Sequence, residues 1–77
     1  MTKLRLATYQ ELRQVAEASG FRWARCRGSH NVFRNSKGKI VVIPDHGAKA
    51  IVRPLLRKIV RDMGLSVDEY HNTLESL

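Results

Sequence analysis

The chain has 77 residues, one cysteine and a formal net charge of +7, from 14 Lys and Arg against seven Asp and Glu. Residues 1–77 therefore form one small domain with a thin core, which suits a shallow site for a polymer better than a deep small-molecule pocket. One cysteine excludes an internal disulfide, and the longest apolar run, residues 40–44, is too short for a signal peptide or membrane span, so we expect a cytoplasmic protein without membrane contact.

The first predicted element is a helix over residues 9–19. Thr8 and Glu11 have the spacing of a capping box, in which each side chain bonds the backbone N–H of the other residue. Apolar residues follow at helical spacing, and Ser19-Gly20 ends the helix because glycine readily adopts a left-handed backbone.

Three strands are predicted after this helix. Residues 21–27 alternate as a strand does, until Gly28 interrupts them as a turn or bulge glycine. A second strand over residues 29–35 and an Ile- and Val-rich third strand over residues 39–43 flank a hairpin turn.

The two faces of the second strand carry different residues. A period of two puts His30, Val32 and Arg34 on one face, and Asn31 and Phe33 on the other. The sequence alone does not settle which of these faces is buried.

Two more helices are predicted after a loop over residues 44–47. Pro54 suits the first turn of the second helix, and Gly64 closes it. Its apolar stripe consists of Leu55, Leu56, Ile59, Val60 and Met63. Ser66 and Glu69 then form a second capping box, which opens a short acidic helix that Tyr70 and Leu74 can dock.

This order of elements predicts an α+β fold. Two helices would cover one face of a three-stranded antiparallel sheet, and a short C-terminal helix would follow. The αβββα order is also that of the double-stranded-RNA-binding domain, which reads A-form shape, 2′-hydroxyls and phosphates.

The basic residues are bunched rather than dispersed. All 14 Lys and Arg occur by residue 61, and four of the seven acids follow it. Residues 21–39 contain no acid at all and six cations: Arg22, Arg25, Arg27, Arg34, Lys37 and Lys39. Such a surface favours a polyanion or an acidic partner protein, because Arg and Lys gather phosphate and carboxylate groups.

His30 lies inside this basic segment, in the sequence Arg27-Gly28-Ser29-His30. Histidine exchanges protons near neutral pH, and RNA carries its own nucleophile, the 2′-hydroxyl. One histidine among cations can therefore contribute to RNA cleavage without a metal. The alternative is that His30 only hydrogen-bonds phosphate or backbone.

The remaining candidates are less specific. His46 follows Asp45, which could orient it, although a structural role in the loop is favoured, and His71 in the acidic tail is expected to be solvated. Trp23 could stack a base or be core, and Phe33 is more readily core. The histidines and the cysteine have no zinc spacing, so we expect neither a metal nor another cofactor.

Several short motifs, in this order along nearly the whole chain, resemble the HicA toxin family. They are Lys3-Leu4, a helix ending in Ser19-Gly20-Phe21, Arg27-Gly28-Ser29-His30, Ile43-Pro44-Asp45-His46, Lys49, and residues 59–66. The resemblance implies a double-stranded-RNA-binding-like fold, ribosome-independent mRNA interferase activity, and a catalytic role for His30. It also implies a cognate HicB antitoxin that binds the toxin and blocks its site.

The sequence departs from this family at two positions. Many members have a second histidine where this chain has Asn31, so a shared proton relay is in doubt. Many also begin the second helix with Gly-Thr-Leu, where this chain has Pro54-Leu55-Leu56. Loss of a hydroxyl cap there is expected to cost about 1 kcal/mol of stability.

The leading hypothesis is a metal-independent endoribonuclease toxin that acts on mRNA, with His30 as general acid or base. The expected RNA-binding residues are Arg25, Arg27, Ser29, Arg34, Lys37 and Lys39, and His46 and Lys49 are accessory candidates. We expect a monomer when free and a hetero-oligomer with the antitoxin. The alternatives are a non-catalytic double-stranded-RNA-binding module and a toxin-like fold kept only for a protein partnership.

Overall fold

The elements follow the predicted order in a computed structural model that describes residues 3–77, so the first two residues of the expected domain 1–77 lie outside it. They are α1 (Tyr9–Ala18), β1 (Arg22–Arg27), β2 (His30–Arg34), β3 (Ile40–Pro44), α2 (Arg53–Asp62) and α3 (Val67–Glu75). The strands form one antiparallel sheet in the order β1-β2-β3. The predicted α+β fold with αβββα order is confirmed.

Local capping defines the starts of two helices. Thr8 and Glu11 form the predicted capping box at α1, and Ser66 and Glu69 form the one at α3. Helix α2 has no such cap, because its N-cap residue, Val52, has no polar side-chain atom. Its start therefore depends on Pro54, whose fixed φ suits the first turn, and on tertiary packing.

The helices cover the sheet face that carries Phe33. Phe33, Val41 and Ile43 are at most 1% exposed and pack in one core with residues of all three helices. Helices α1 and α2 contact β3, and α3 packs against α1. This packing settles the choice that the alternation of β2 left open, because the face with Val32 lies outside that core.

Strand β1 lies at one edge of the sheet, beyond the helix layer. All six of its residues are exposed. Its pairing with β2 shifts register between Trp23 and Arg25, so Ala24 is the extra residue of a β-bulge. The sequence did not predict this bulge, since no glycine or proline marks it.

The third strand ends one residue later than predicted. Pro44 pairs with His30 at the end of β3, whereas we expected it to begin the loop. Proline is tolerated there because β3 is an edge strand, on which not every N–H is needed by the sheet.

Helix α3 is tied to the N-terminal segment through Arg5. The Tyr70 hydroxyl donates a hydrogen bond to the Arg5 carbonyl at 2.8 Å, and the Arg5 N–H donates to His71 Nε2 at 3.0 Å. The prediction of a merely solvated His71 was wrong, whereas the predicted docking of Tyr70 and Leu74 is confirmed by their exposures of 0% and 6%. Across residues 3–77, every helix falls short of the length and apolar character that crossing a membrane requires.

Candidate nucleic-acid interface

A two-residue turn, Gly28-Ser29, joins β1 to β2 and fixes the position of His30. Gly28 has φ +60°, and no residue other than glycine has a positive φ in the described chain. Glycine at the first turn position with positive φ is the requirement of a type II′ turn, which matches the twist of paired strands. The turn therefore sets Arg27 and His30 directly opposite each other.

Arg27 and His30 lie on the helix-free face of the sheet. Neighbours on adjacent strands that are directly opposite project to the same face, and His30 is aligned with Arg27 on one side and Pro44 on the other. His30 has the same parity along β2 as Val32, and the opposite parity to the core residue Phe33. Both Arg27 and His30 are exposed.

The rest of this helix-free face is basic and partly apolar. Arg25 is opposite Val32, which in turn pairs with Val42, and Arg22 is opposite Arg34. No strand residue is acidic. Four arginines and one histidine thus share a surface on which no carboxylate from the strands competes with a bound phosphate.

The loop after β3 begins beside the Gly28-Ser29 turn. The Asp45 N–H donates a hydrogen bond of 2.7 Å to the Ser29 carbonyl. The Asp45 carboxylate accepts a hydrogen bond from the Gly47 N–H at 2.9 Å, and this bond stabilises the loop rather than orienting His46. His46 and Lys49 are exposed in this loop, at the end of the sheet where His30 lies.

Three predicted RNA-binding residues lie at the opposite end of the sheet. Arg34 ends β2, four residues from His30, which corresponds to about 13 Å along a strand. Lys37 lies in the β2–β3 hairpin turn, where its N–H bonds the Asn35 side chain. The Lys39 ammonium reaches toward Gly64, after α2. These residues can contact a long polymer, but the structure does not gather them around His30.

Asn31 occupies the position of the second histidine that many members of the resembled family carry. Its side chain lies on the helix side of the sheet, is 7% exposed, and accepts a hydrogen bond of 3.0 Å from Trp23 Nε1. Its amide also donates to the Ser29 carbonyl at 3.4 Å. Asn31 and His30 therefore project to opposite faces of β2, and Asn31 has a structural role.

Sequence reasoning missed two features of this region. Arg22 belongs to the helix-free face, but only the register with Arg34 reveals this. Tyr9 is 8% exposed, and burial, followed by the negative charge of Asp45, raises the pKa of its hydroxyl. The shift keeps the Tyr9 hydroxyl protonated farther into the alkaline range. No local sequence signal relates residue 9 to residue 45.

Comparison with known proteins decides the family. The family model described as HicA toxin of bacterial toxin-antitoxin matches residues 9–65. The chain belongs to the HicA toxin family. A relative from Pseudomonas fluorescens (strain Pf0-1), named "Probable mRNA interferase HicA", is 41% identical over 58 residues, which is 74% of this chain and 93% of the relative.

The HicA match extends from the start of α1 to the residues just after α2. It includes the Gly28-Ser29 turn, His30, the whole helix-free face and the loop with His46 and Lys49. Helix α3 lies outside the matched range. Within residues 3–77, no group of three or more His, Cys, Asp or Glu side chains is arranged to hold a metal ion.

Proposed function

We propose that this HicA family member is the toxin of a toxin–antitoxin pair and a metal-independent endoribonuclease that cleaves mRNA. The observation that carries the proposal is the placement of His30 opposite Arg27, exposed on a basic sheet face whose strands contain no acid. The name of the Pseudomonas relative, an mRNA interferase, supports the same substrate.

The reaction uses the ribose 2′-hydroxyl next to the scissile phosphate as nucleophile. A bond forms between the 2′-oxygen and phosphorus, the bond from phosphorus to the 5′-oxygen breaks, and a 2′,3′-cyclic phosphate remains. His30 either accepts the proton of the 2′-hydroxyl or donates one to the departing 5′-oxygen. Arg27, on the same face, stabilises the negative charge that builds up on the phosphate oxygens.

The other basic residues hold the RNA on either side of this centre. Arg25 is next to Arg27 on the helix-free face, and Arg34, Lys37 and Lys39 contact the chain farther along the sheet. Ser29 bonds phosphate with its hydroxyl while its carbonyl anchors the Asp45 loop. His46 and Lys49 are the accessory groups at the His30 end, and His46 is the candidate for the second proton transfer.

A HicB-like antitoxin is the proposed protein partner. An acidic surface gains most where the toxin is most basic, so we place the contact over His30 and its neighbouring arginines. The free toxin is a monomer that acts in the cytoplasm, where mRNA is available, and the inhibited form is a hetero-oligomer in the same compartment. RNA cleavage that persists at saturating antitoxin would contradict this occlusion.

The deciding experiment is RNA cleavage in EDTA by the wild type and by His30→Ala. Wild type should cut RNA but not DNA of the same sequence, since DNA lacks the 2′-hydroxyl. His30→Ala should abolish cutting and leave the circular dichroism spectrum unchanged, because His30 is exposed. Lys58→Ala is the control, because Lys58 lies on α2, where it pairs with Asp62, and not on the sheet. Undiminished cleavage by His30→Ala would overturn the assignment, and tight binding of intact RNA by wild type would indicate a binding module instead.

A further inference from the structure

Trp23, the only tryptophan of the chain, is 54% exposed on the edge strand β1. Both phenylalanines are buried, with Phe21 and Phe33 at most 2% exposed. An exposed indole leaves a large apolar surface in water, where its burial would be favourable. Packing in the hydrophobic core therefore does not explain why a tryptophan occupies position 23.

The Trp23 ring is held in place despite its exposure. Its Nε1–H donates a hydrogen bond of 3.0 Å to Oδ1 of Asn31, which is itself only 7% exposed and bonded to the Ser29 carbonyl. A ring fixed in this way loses little conformational entropy when another ring packs on it. The same asparagine connects Trp23 to the turn that positions His30.

Two shallow hollows meet at Trp23. The smaller has a volume of about 330 Å³, and Arg22, Arg34 and Asn35 also line it. The larger, about 710 Å³, extends toward Phe21 and Glu17. Glu17 is the one acid of these linings, and it already pairs with Arg13 at 3.0 Å. The surface beside the exposed Trp23 ring is therefore positively charged where Arg22 and Arg34 line it.

We propose that Trp23 is a stacking platform for one nucleobase of single-stranded RNA, and that Arg22 and Arg34 hold the phosphates beside that base. This inference rests on the proposed function, in which RNA is the substrate, and it adds a subsite to the RNA-binding surface. Every base has a flat face to offer, whereas bases in a duplex are already stacked, so the ligand is a single strand.

The position of Trp23 relative to His30 fits this role. Trp23 pairs with Phe33, three residues from His30 along β2, which corresponds to about 10 Å. A strand held at Arg27 and His30 passes Arg25 and Arg22 on the helix-free face and crosses the edge of β1 to reach the ring. The subsite selects an unpaired base a short distance from the cleaved bond.

A fluorescence titration tests the proposal directly, because the whole tryptophan signal comes from residue 23. Wild type is titrated with single-stranded 2′-O-methyl RNA, which has no free 2′-hydroxyl and so is not cut. Stacking predicts saturable quenching, with the same Kd as the anisotropy of the labelled RNA. Binding that leaves the fluorescence unchanged overturns the proposal.

Variants provide the second measurement. Trp23→Leu should weaken binding of the 2′-O-methyl RNA about tenfold or more, while Trp23→Phe, which keeps a flat ring, retains most of the affinity. Equal binding by wild type and Trp23→Leu would also overturn the proposal. Quenching by a HicB-type antitoxin but not by RNA would overturn it in favour of a protein contact.

The outcomes separate this inference from the proposed nuclease activity. If 2′-O-methyl RNA quenches the Trp23 fluorescence but unmodified RNA is never cut, the nuclease activity is contradicted and the stacking site stands. If unmodified RNA is cut but binding of 2′-O-methyl RNA leaves the fluorescence unchanged, the activity stands and the stacking site is contradicted.

Discussion

Arg27 and His30 are directly opposite each other across the turn between β1 and β2. The pairing puts a permanent positive charge and a proton carrier on the same face of the sheet, at its exposed end. Arg27 is the last residue of β1 and His30 the first of β2, so the paired strands and the tight turn between them hold both residues in position. Rigid strands hold reacting groups more closely in place than a mobile loop can.

Arg27→Gln is expected to lower kcat/KM for RNA cleavage about 10- to 100-fold, because the variant loses a charge-assisted contact to the reacting phosphate. Arg13→Gln is the matched control, since Arg13 lies on α1 and pairs with Glu17. Initial rates at several RNA concentrations measure both variants. Equal losses in the two variants would indicate a general charge effect instead of a role for Arg27 at the site.

Arg25→Gln should reduce the salt dependence of RNA binding. Each lost phosphate contact lowers the slope of log K against log salt by about 0.7 for a single strand. Lys58→Gln serves as the control, because Lys58 pairs with Asp62 on α2. Binding of labelled 2′-O-methyl RNA is measured from low to high salt. An unaltered slope for Arg25→Gln would remove Arg25 from the interface.

Asn31→His should not increase the rate of cleavage. The new imidazole would lie on the helix side of β2, facing away from His30, and the hydrogen bond to Trp23 would be lost. We expect the free energy of unfolding to fall by about 1–3 kcal/mol. Urea titration and a cleavage assay check the two parts. A faster enzyme would mean that residue 31 can share the proton transfer after all.

Val52→Thr should stabilise the protein by about 0.5–1 kcal/mol. Valine and threonine have the same shape, and the added hydroxyl can accept from the Leu55 N–H, since Pro54 has none to offer. Val52 is 65% exposed with an extended backbone suited to an N-cap. Thermal or urea unfolding measures the gain, and Val52→Ala provides the comparison without a hydroxyl. A gain of the same size in Val52→Ala would contradict a capping effect.

Tyr70→Phe should change how stability depends on alkaline pH. Burial raises the pKa of Tyr70 from 10.0 to about 12, so the unfolded chain releases this proton first. Its contribution is complete below pH 10 and is lost as the pH rises through 12, with about 2 kcal/mol lost by pH 12. The difference in unfolding free energy between wild type and Tyr70→Phe, measured from pH 8 to 12, should shrink by that amount. A constant difference would contradict the shifted pKa.

The predictable part of the fold was encoded locally. Both capping boxes involve residues three apart, and the Gly28 turn follows from one residue's backbone freedom. Strand ends were correct to within one residue because a period of two and a turn glycine are short-range signals. The αβββα order is then simply the order of these elements along the chain.

The face on which the site lies required tertiary information. Alternation in β2 defines two faces, and both Val32 and Phe33 are apolar enough to be core. Packing of α1 and α2 on the β3 neighbours of Phe33 decides between them. The structural role of Asn31 could not be predicted from the sequence either. Its hydrogen bond with Trp23 depends on the strand register, which the unpredicted bulge at Ala24 shifts.

The link between Arg5 and α3 has a consequence for the timing of activity during synthesis. Tyr70 and His71 bond a residue more than 60 positions earlier, and Tyr70 fills the core beside α1. A nascent chain cannot complete that core until these late residues leave the ribosome, and the entropy of closing so long a loop opposes early contact. We therefore expect an incompletely synthesised chain to be poorly folded, and a partner protein that bound it at that stage would meet the sheet before α3 supports it.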